Sequence, residues 1–234
     1  MMTIPWWIKD IAGIIFPNTC HVCGRTLVDG ESIMCLHCHM NMPRTGYHRS
    51  DFNAMHQRIG HKIPIERAAA YFHYERDSDY ASLIHSAKYR AMPHIARHLG
   101  SQYAREISAD GFFDAIDLIE PVPLSMLKLI TRGYNQSEEL AKGISTVTGI
   151  PIGHHLGARH HTSQTKKDAK ERWDNVSRIY YAKTSHKPVT QSHVLIVDDI
   201  ITTGATIAAC ATAIRGIWPN ARISILTLGA TRLV

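Results

Sequence analysis

The sequence predicts an α/β protein whose parallel β-sheet is covered by helices on both faces. Apolar segments typical of buried strands occur at residues 68–74, 115–119, 193–197 and 223–228. Segments with helical periodicity lie between them, at residues 79–89, 93–107, 135–148 and 206–217. Strands that are apolar throughout and alternate with helices are typical of parallel sheets buried on both sides.

The expected helices are bounded by residues that suit helix termini. Pro93 fits the first turn of a helix, where its missing N–H is not needed. Asn135, with Glu138 three residues later, is typical of an N-cap, and Gly149 and Pro151 end the same helix. The expected order of strands and helices is therefore β-α-α-β-α-β-α-β.

The composition indicates a folded protein with a full hydrophobic core. Of 234 residues, 44% are hydrophobic and 20% are charged, which excludes a disordered chain. The net charge of +6 is compatible with a polyanionic partner without being diagnostic of one. No apolar run is long enough to cross a membrane, so we expect no membrane insertion. Lys9 and Asp10 interrupt the segment where a secretory signal would lie, which leads us to expect a cytoplasmic protein.

Four of the five cysteines form two Cys-x-x-Cys pairs close together in the sequence. The pairs Cys20/Cys23 and Cys35/Cys38 are separated by eleven residues. Two such pairs across a short loop can bring four thiolates to the corners of a tetrahedron, as a structural Zn²⁺ site requires. Gly24 follows the second cysteine, where the chain must turn tightly. We therefore predict a small zinc-ribbon module held by a structural zinc ion.

Other interpretations of these cysteines are weaker. Two disulfides are disfavoured in a chain without an export signal, and a redox pair would need a strand–helix context that is missing here. His21, His37 and His39 could each replace a ligand, although we expect them to be bystanders. Cys210 lies in an apolar helical segment, which indicates a small buried hydrophobic residue.

A basic segment, residues 154–187, carries much of the positive charge. It holds eight lysines and arginines against three acidic residues. It is either a solvated helix and loop or a hood over an anionic ligand. The sequence before residue 51 holds four cations and three acids, so the zinc module is not a basic DNA clamp and a structural role is expected.

The segment with the clearest chemistry is an apolar strand that ends in two adjacent carboxylates, Asp198 and Asp199. Ligands of open parallel sheets bind outside the carboxyl ends of the strands. Paired carboxylates there can hydrogen-bond vicinal hydroxyls or hold a hydrated Mg²⁺. A turn at the start of a helix follows and offers backbone N–H groups and hydroxyls to a phosphate. The residues of this turn are Thr202, Thr203, Gly204, Ala205 and Thr206. Two ordinary capping residues would not explain why both carboxylates stand together at a strand end.

This segment resembles the 5-phosphoribosyl-1-pyrophosphate (PRPP) motif of type I phosphoribosyltransferases. The order of motifs along most of the chain is, more specifically, similar to the ComF family of competence-associated proteins. The motifs that accompany the four cysteines and the PRPP motif are residues 83–90, 121–124, 132–137, 159–164 and 172–176. Each is weak alone, but their order beside the cysteine spacing is specific.

The resemblance implies a type I phosphoribosyltransferase-like parallel sheet and a role for each motif. Residues 1–50 would form an N-terminal helix and the zinc module, and residues 51–234 the phosphoribosyltransferase-like domain. Asp198 and Asp199 would bind the ribose hydroxyls as the catalytic pair, and the turn that follows them would hold the 5-phosphate. Arg132 and Lys88 would contact phosphate groups, and the loop at residues 121–123 would hold pyrophosphate together with Mg²⁺.

Two functions follow from the resemblance. The first is transfer of phosphoribose from PRPP to an acceptor that the sequence does not name. The second is a non-enzymatic competence role, in which the fold binds single-stranded DNA or proteins of the competence machinery. Members of the family commonly carry several arginines between Leu124 and Arg132, whereas here only Lys128 and Arg132 are cationic. This departure leaves open whether PRPP is turned over or only bound.

Overall fold

The computed structural model describes residues 18–89, 92–159, 179–183 and 193–232. The N-terminal helix expected before residue 18 lies outside these residues, as does most of the basic segment 154–187. Within the described part, no helix is long and apolar enough to cross a membrane.

The core of the molecule is a four-stranded parallel sheet, which confirms the predicted fold class. The strands are β1 (Ala68–His73), β2 (Leu118–Pro121), β5 (His193–Ile201) and β6 (Arg222–Ala230). Their order across the sheet is β1-β6-β5-β2, and all three neighbouring pairs are parallel. A bridge between Ile119 and Ile152 extends the sheet beyond β2. Two short strands, β3 (Leu156–Ala158) and β4 (Tyr180–Ala182), form a separate antiparallel ribbon.

The described helices cover both faces of this sheet. In chain order they are α1 (Leu36–Met40), α2 (Ala54–Ile59), α3 (Ala81–Tyr89), α4 (Pro93–Ser108), α5 (Met126–Arg132), α6 (Gln136–Thr148) and α7 (Ala205–Ile217), with a 3-10 turn at Tyr47–Arg49. One face packs against α3, α4 and α6, and the other against α2 and α7. Alternate residues of β5 face the two sides: Leu195 and Val197 join the first core, and Val194 and Ile196 the second.

Two strand boundaries differ from the sequence prediction. The segment expected as a strand from residue 115 becomes β2 only at Leu118, because Ala115 adopts a positive φ of 60° in a turn. The Arg67 guanidinium holds that turn by donating hydrogen bonds to the carbonyls of Gly111 and Phe112. Strand β5 was expected to end before the two aspartates but continues through them to Ile201, which pairs with Ala230 of β6.

The helix-end predictions are confirmed. Pro93 is in the first turn of α4, and the Asn135 side chain accepts a hydrogen bond from the Ser137 N–H at the start of α6. Gly149 ends α6 with a φ of 72°. Cys210 of α7 is fully buried, as expected.

Candidate functional site

The two aspartates lie side by side near the carboxyl end of β5. They are almost fully buried, Asp198 being 8% and Asp199 6% exposed. The chain leaves β2 toward α6 on one face of the sheet, and leaves β5 toward α7 on the other. A crevice forms in open α/β sheets where neighbouring strands diverge in this way. The aspartates therefore stand where ligands of such sheets bind.

Asp198 is held by the first turn of α6. The Ser137 hydroxyl donates to its Oδ1 at 2.9 Å, and the Asp199 N–H donates to the same oxygen at 2.9 Å. Burial, and then the neighbouring Asp199 carboxylate, raise the pKa of Asp198 well above its usual range. The hydrogen bonds and the Lys88 charge offset this only in part. The site thus holds a carboxyl group that is costly to ionise.

Lys88 reaches the second aspartate. Its Nζ lies 2.9 Å from Asp199 Oδ2, and its side chain is 21% exposed. Lys88 comes from the last turn of α3, so two elements far apart in sequence meet at the site. This places a predicted phosphate contact beside the carboxylate pair, where it neutralises one of the two negative charges.

The turn after β5 has the backbone expected of an anion-binding loop. Gly204 has a φ of 77° and forms the N-cap of α7. A Cβ built on it would lie 2.5 Å from Ile59 Cγ1, so both its conformation and its close packing require glycine. Residues 200–207 and Asp198 line a small cavity of about 30 Å³. Thr202 and Thr203 are exposed, whereas Gly204 and Ala205 are buried.

Tyr180 of β4 packs over the start of α7. Its side chain hydrogen-bonds with Thr206, and burial, with smaller contributions from Cys210 and Asp198, raises the pKa of its hydroxyl. The ribbon β3–β4 therefore contacts the predicted phosphate loop, although most of the basic segment that joins its strands lies outside the described residues.

The remaining predicted phosphate contacts lie around the loop that follows β2. The Asn135 side chain donates to the Val122 carbonyl at 2.9 Å and so ties this loop to the start of α6. Arg132, in the last turn of α5, donates to the Gln136 side chain. The same loop forms one wall of a cavity of about 360 Å³, whose other walls come from α5, α6 and residues 154, 156 and 183.

Two residues at the site escaped the sequence analysis as functional residues. The sequence identifies Ser137 only as part of the motif at residues 132–137. Its position two residues after the N-cap Asn135 is the signal that points to a role at the site. Arg58 had none, because α2 precedes the sheet and carries no motif. In the structure, Arg58 donates to the Ile201 carbonyl at 3.2 Å, directly before the phosphate loop.

The four clustered cysteines form a second site, remote in sequence from the first. Their sulfur atoms all lie within 4.8 Å of one another, and Cys23 Sγ and Cys35 Sγ are 3.8 Å apart. A tetrahedral zinc site with Zn–S bonds of about 2.3 Å has sulfur–sulfur edges of about 3.8 Å. Gly24 has the predicted tight-turn conformation, with a φ of 73°, and none of the cysteines is in a disulfide. The four thiols can hold a zinc ion.

Comparison with known proteins adds a relative. The chain is 33% identical over 93 residues to Competence protein F of Haemophilus influenzae. Over these residues the match supports the predicted resemblance to the ComF family. The match covers 39% of this chain and 41% of the relative, so the chain spans about two fifths of that protein.

Two further comparisons are less informative about the protein. No family model matches the chain. A solved structure, the AQ2163 protein from Aquifex aeolicus, aligns with 69% of this chain and 88% of its own, at a TM-score of 0.40 and 12% identity. That level of similarity is too low to support an argument about fold or function.

Proposed function

We propose that the crevice at the end of β5 binds PRPP and that the protein transfers its phosphoribosyl group to an acceptor. The observation that carries the proposal is the meeting of Asp198, Asp199 and Lys88 beside the loop at residues 202–206. Vicinal hydroxyls and a phosphate are joined in one phosphorylated sugar, and this arrangement offers partners for both. The relative's name leads us to include in the proposal a role in natural competence, in the cytoplasm.

Each part of the ligand has a partner in this proposal. The carboxylates of Asp198 and Asp199 accept hydrogen bonds from the ribose hydroxyls. The N–H groups and hydroxyls of the loop at residues 202–206 hold the 5-phosphate at the N-terminus of α7. The loop at residues 121–123 and the cation of Lys88 would hold the pyrophosphate.

Magnesium fits the donor set of this site. Mg²⁺ prefers carboxylate oxygens and phosphates, and the buried aspartates are groups of that kind. Bound with PRPP, the ion would supply neutralisation of the pyrophosphate charge. Asp198 and Asp199 are the residues of this chain that would hold it, directly or through water.

The chain's own residues act mainly by position and charge. Breaking the bond between C1 and the pyrophosphate leaves a sugar with oxocarbenium character, which the buried carboxylates stabilise electrostatically. Lys88 can leave Asp199 and follow the negative charge that grows on the departing pyrophosphate. Tyr180, through its hydrogen bond with Thr206, holds the ribbon β3–β4 beside the phosphate loop. No side chain is assigned as general base.

The proposal is tested by titrating the protein with PRPP and Mg²⁺ in a calorimeter. We expect saturable binding that the double variant Asp198→Asn/Asp199→Asn loses by about 100-fold or more, since charged hydrogen bonds contribute about 1.5–3 kcal/mol each. The double variant Asp77→Asn/Asp79→Asn, which changes two exposed aspartates, is the matched control and should bind like the wild type. Unaltered binding in the Asp198/Asp199 variant would contradict the site.

Transfer is tested separately from binding. Incubation with PRPP, Mg²⁺ and a panel of nucleobases should release pyrophosphate with the true class of acceptor. Binding without release across the panel would contradict a transferase acting on nucleobases.

A further inference from the structure

Helix α2 lies beneath the predicted phosphate loop, and its position is fixed from the opposite side. The Asn53 side chain accepts from the Met55 N–H at 3.0 Å and donates to the Ala68 carbonyl of β1 at 2.8 Å. His56 Nδ1 accepts from the Asn53 N–H at 3.3 Å and completes the cap. Asn53 and His56 are each 6% exposed. A buried capping network therefore fixes the start of the helix that carries Arg58 and Ile59.

Both of these residues meet the loop. Ile59 is fully buried and fills the space beside Gly204 that a Cβ would occupy. Arg58 NH1 donates to the Ile201 carbonyl at 3.2 Å, and its NH2 donates to the Thr231 carbonyl at 2.6 Å. One guanidinium thus joins the ends of β5 and β6, the two neighbouring strands that border the start of the loop.

The contact with Ile201 fixes the orientation of the next N–H group. The Ile201 carbonyl also accepts from the Thr231 N–H at 3.1 Å and from the Thr231 hydroxyl at 3.5 Å, so it is held by three donors. In a planar trans peptide the C=O and the following N–H point in opposite directions. Because the carbonyl is turned toward Arg58 and β6, the Thr202 N–H is turned the other way. Thr202 also lines the cavity at the end of β5.

We propose that Arg58 is a positioning residue of the phosphate site, which holds the Ile201–Thr202 peptide so that the Thr202 N–H faces the 5-phosphate. This inference rests on the proposed function and assigns a task to α2. Arg58 acts through the backbone and also adds a cation near the loop. A lysine at this position, with all its donors on one nitrogen, reproduces these contacts only in part, because the guanidinium uses one nitrogen for Ile201 and another for Thr231.

The experiment measures two ligands that the proposed site holds at different places. Ribose 5-phosphate occupies the phosphate loop, and pyrophosphate with Mg²⁺ occupies the loop after β2. Calorimetry with each ligand is carried out on the wild type, Arg58→Met and Arg58→Lys. Arg232→Met is the matched control, because Arg232 lies one residue after Thr231, is 65% exposed and pairs with Glu75 rather than with the loop.

We expect Arg58→Met to weaken ribose 5-phosphate by about tenfold or more, which corresponds to about 1.4 kcal/mol, a typical loss for a charged hydrogen bond. Pyrophosphate binding should change by less than about twofold, and Arg58→Lys should recover part of the loss. In the wild type, the Thr202 amide signal in NMR spectra should shift on addition of ribose 5-phosphate. In Arg58→Met that shift should be reduced.

The outcomes separate this inference from the proposed function. Equal loss of both ligands in Arg58→Met would show a general structural defect and overturn the positioning role. Normal ribose 5-phosphate binding in Arg58→Met, or the same loss in Arg232→Met, would overturn it while leaving the PRPP site intact. A wild-type protein that binds neither PRPP nor ribose 5-phosphate would overturn both.

Discussion

At the scale of single residues, Asp198 combines a demanding environment with a functional position. Its carboxyl group is buried, lies beside a second carboxylate and accepts two hydrogen bonds on one oxygen. In the folded protein without ligand its pKa is raised, so between its unfolded and folded pKa values the folded state binds the extra proton. Stability from this group is therefore present at low pH and is lost as the pH rises through the folded pKa.

This environment predicts that Asp198→Asn stabilises the ligand-free protein. Asparagine keeps an oxygen for the Ser137 and Asp199 donors but removes the buried charge. The gain in the free energy of unfolding should be larger at pH 8 than at pH 5 by about 1–2 kcal/mol, because the destabilisation by Asp198 accumulates as the pH rises from its unfolded pKa of about 3.9 to its folded pKa. Urea unfolding at both values of pH measures it. A gain that is the same at both values would show that charge is not the cause.

The residues of the site could be predicted from the sequence only where chemistry and spacing occur together. Adjacent aspartates at the end of an apolar strand are such a case, and Lys88 was reached through the resemblance. Ser137 contacts Asp198, which lies 61 positions further along the chain, and Arg58 contacts Ile201, which lies 143 positions further. No local pattern in the sequence encodes contacts of such separation. Several histidines prove to be structural: His155 pairs with the buried Glu120 at 3.0 Å, and His193 bonds to Ser224 at 2.8 Å.

At the scale of elements, the segment that carries the four clustered cysteines is tied to the sheet and its helices by several hydrogen bonds. Glu106 of α4 accepts from Arg44 Nε at 2.9 Å and from the Tyr71 hydroxyl of β1 at 2.6 Å. The Tyr80 hydroxyl donates to the Cys38 carbonyl at 2.8 Å. Three of the four clustered cysteines also belong to the same core as α3, α4 and α6. Order in the module is thus coupled to packing in the larger domain.

This coupling predicts that metal removal destabilises more than the module itself. The purified protein should contain zinc in equimolar amount, and Cys38→Ser should lower that content and reduce the unfolding temperature by about 10 °C or more. Cys210→Ala, which removes a cysteine outside the cluster, should keep its zinc. Metal analysis and thermal unfolding provide the readouts. Equal zinc content in Cys38→Ser and the wild type would contradict the assignment of the ligands.

The type and order of the four sheet strands and of α3, α4, α6 and α7 could be predicted, whereas α1, α2, α5, the ribbon β3–β4 and some boundaries could not. The spacing of apolar residues and the residues typical of helix ends are local signals. They predicted the bounds of β1, α4 and α6 to within a few residues. The extension of β5 through two carboxylates has a tertiary cause, since pairing with β6 continues to Ala230. The late start of β2 also has a tertiary cause, because Arg67 holds the turn before this strand from a position more than forty residues earlier in the chain.

At the scale of the whole molecule, two buried groups, His193 and Asp198, change stability in opposite directions as the pH falls. His193 is 1% exposed, and burial, followed by the charge of Arg222, lowers its pKa. Below a pH of about 6.5 the unfolded chain takes up a proton that the folded His193 does not, so its contribution to stability falls with acidification. Asp198 has the opposite sign in the same range.

A comparison of variants isolates the histidine. Between pH 7 and pH 5, the wild type should lose about 1 kcal/mol of stability relative to His193→Gln, because only the wild type carries the buried imidazole. The effect of Asp198 is common to both proteins and cancels. Urea unfolding at the two values of pH measures the difference, and His61→Gln, at an exposed position, serves as control. A pH-independent difference between wild type and His193→Gln would contradict the prediction.

The strand order has a consequence for how the chain reaches its native state. Strand β6 lies between β1 and β5, although it is the last of the described strands in the sequence. Strand β1 therefore cannot join the sheet before β6 has been synthesised, and about 150 residues must be closed into a loop when it does so. Contacts of such long sequence separation slow folding. During synthesis, Arg58 has no Thr231 carbonyl to bind until β6 has paired, so the phosphate loop acquires its shape as one of the final steps of folding.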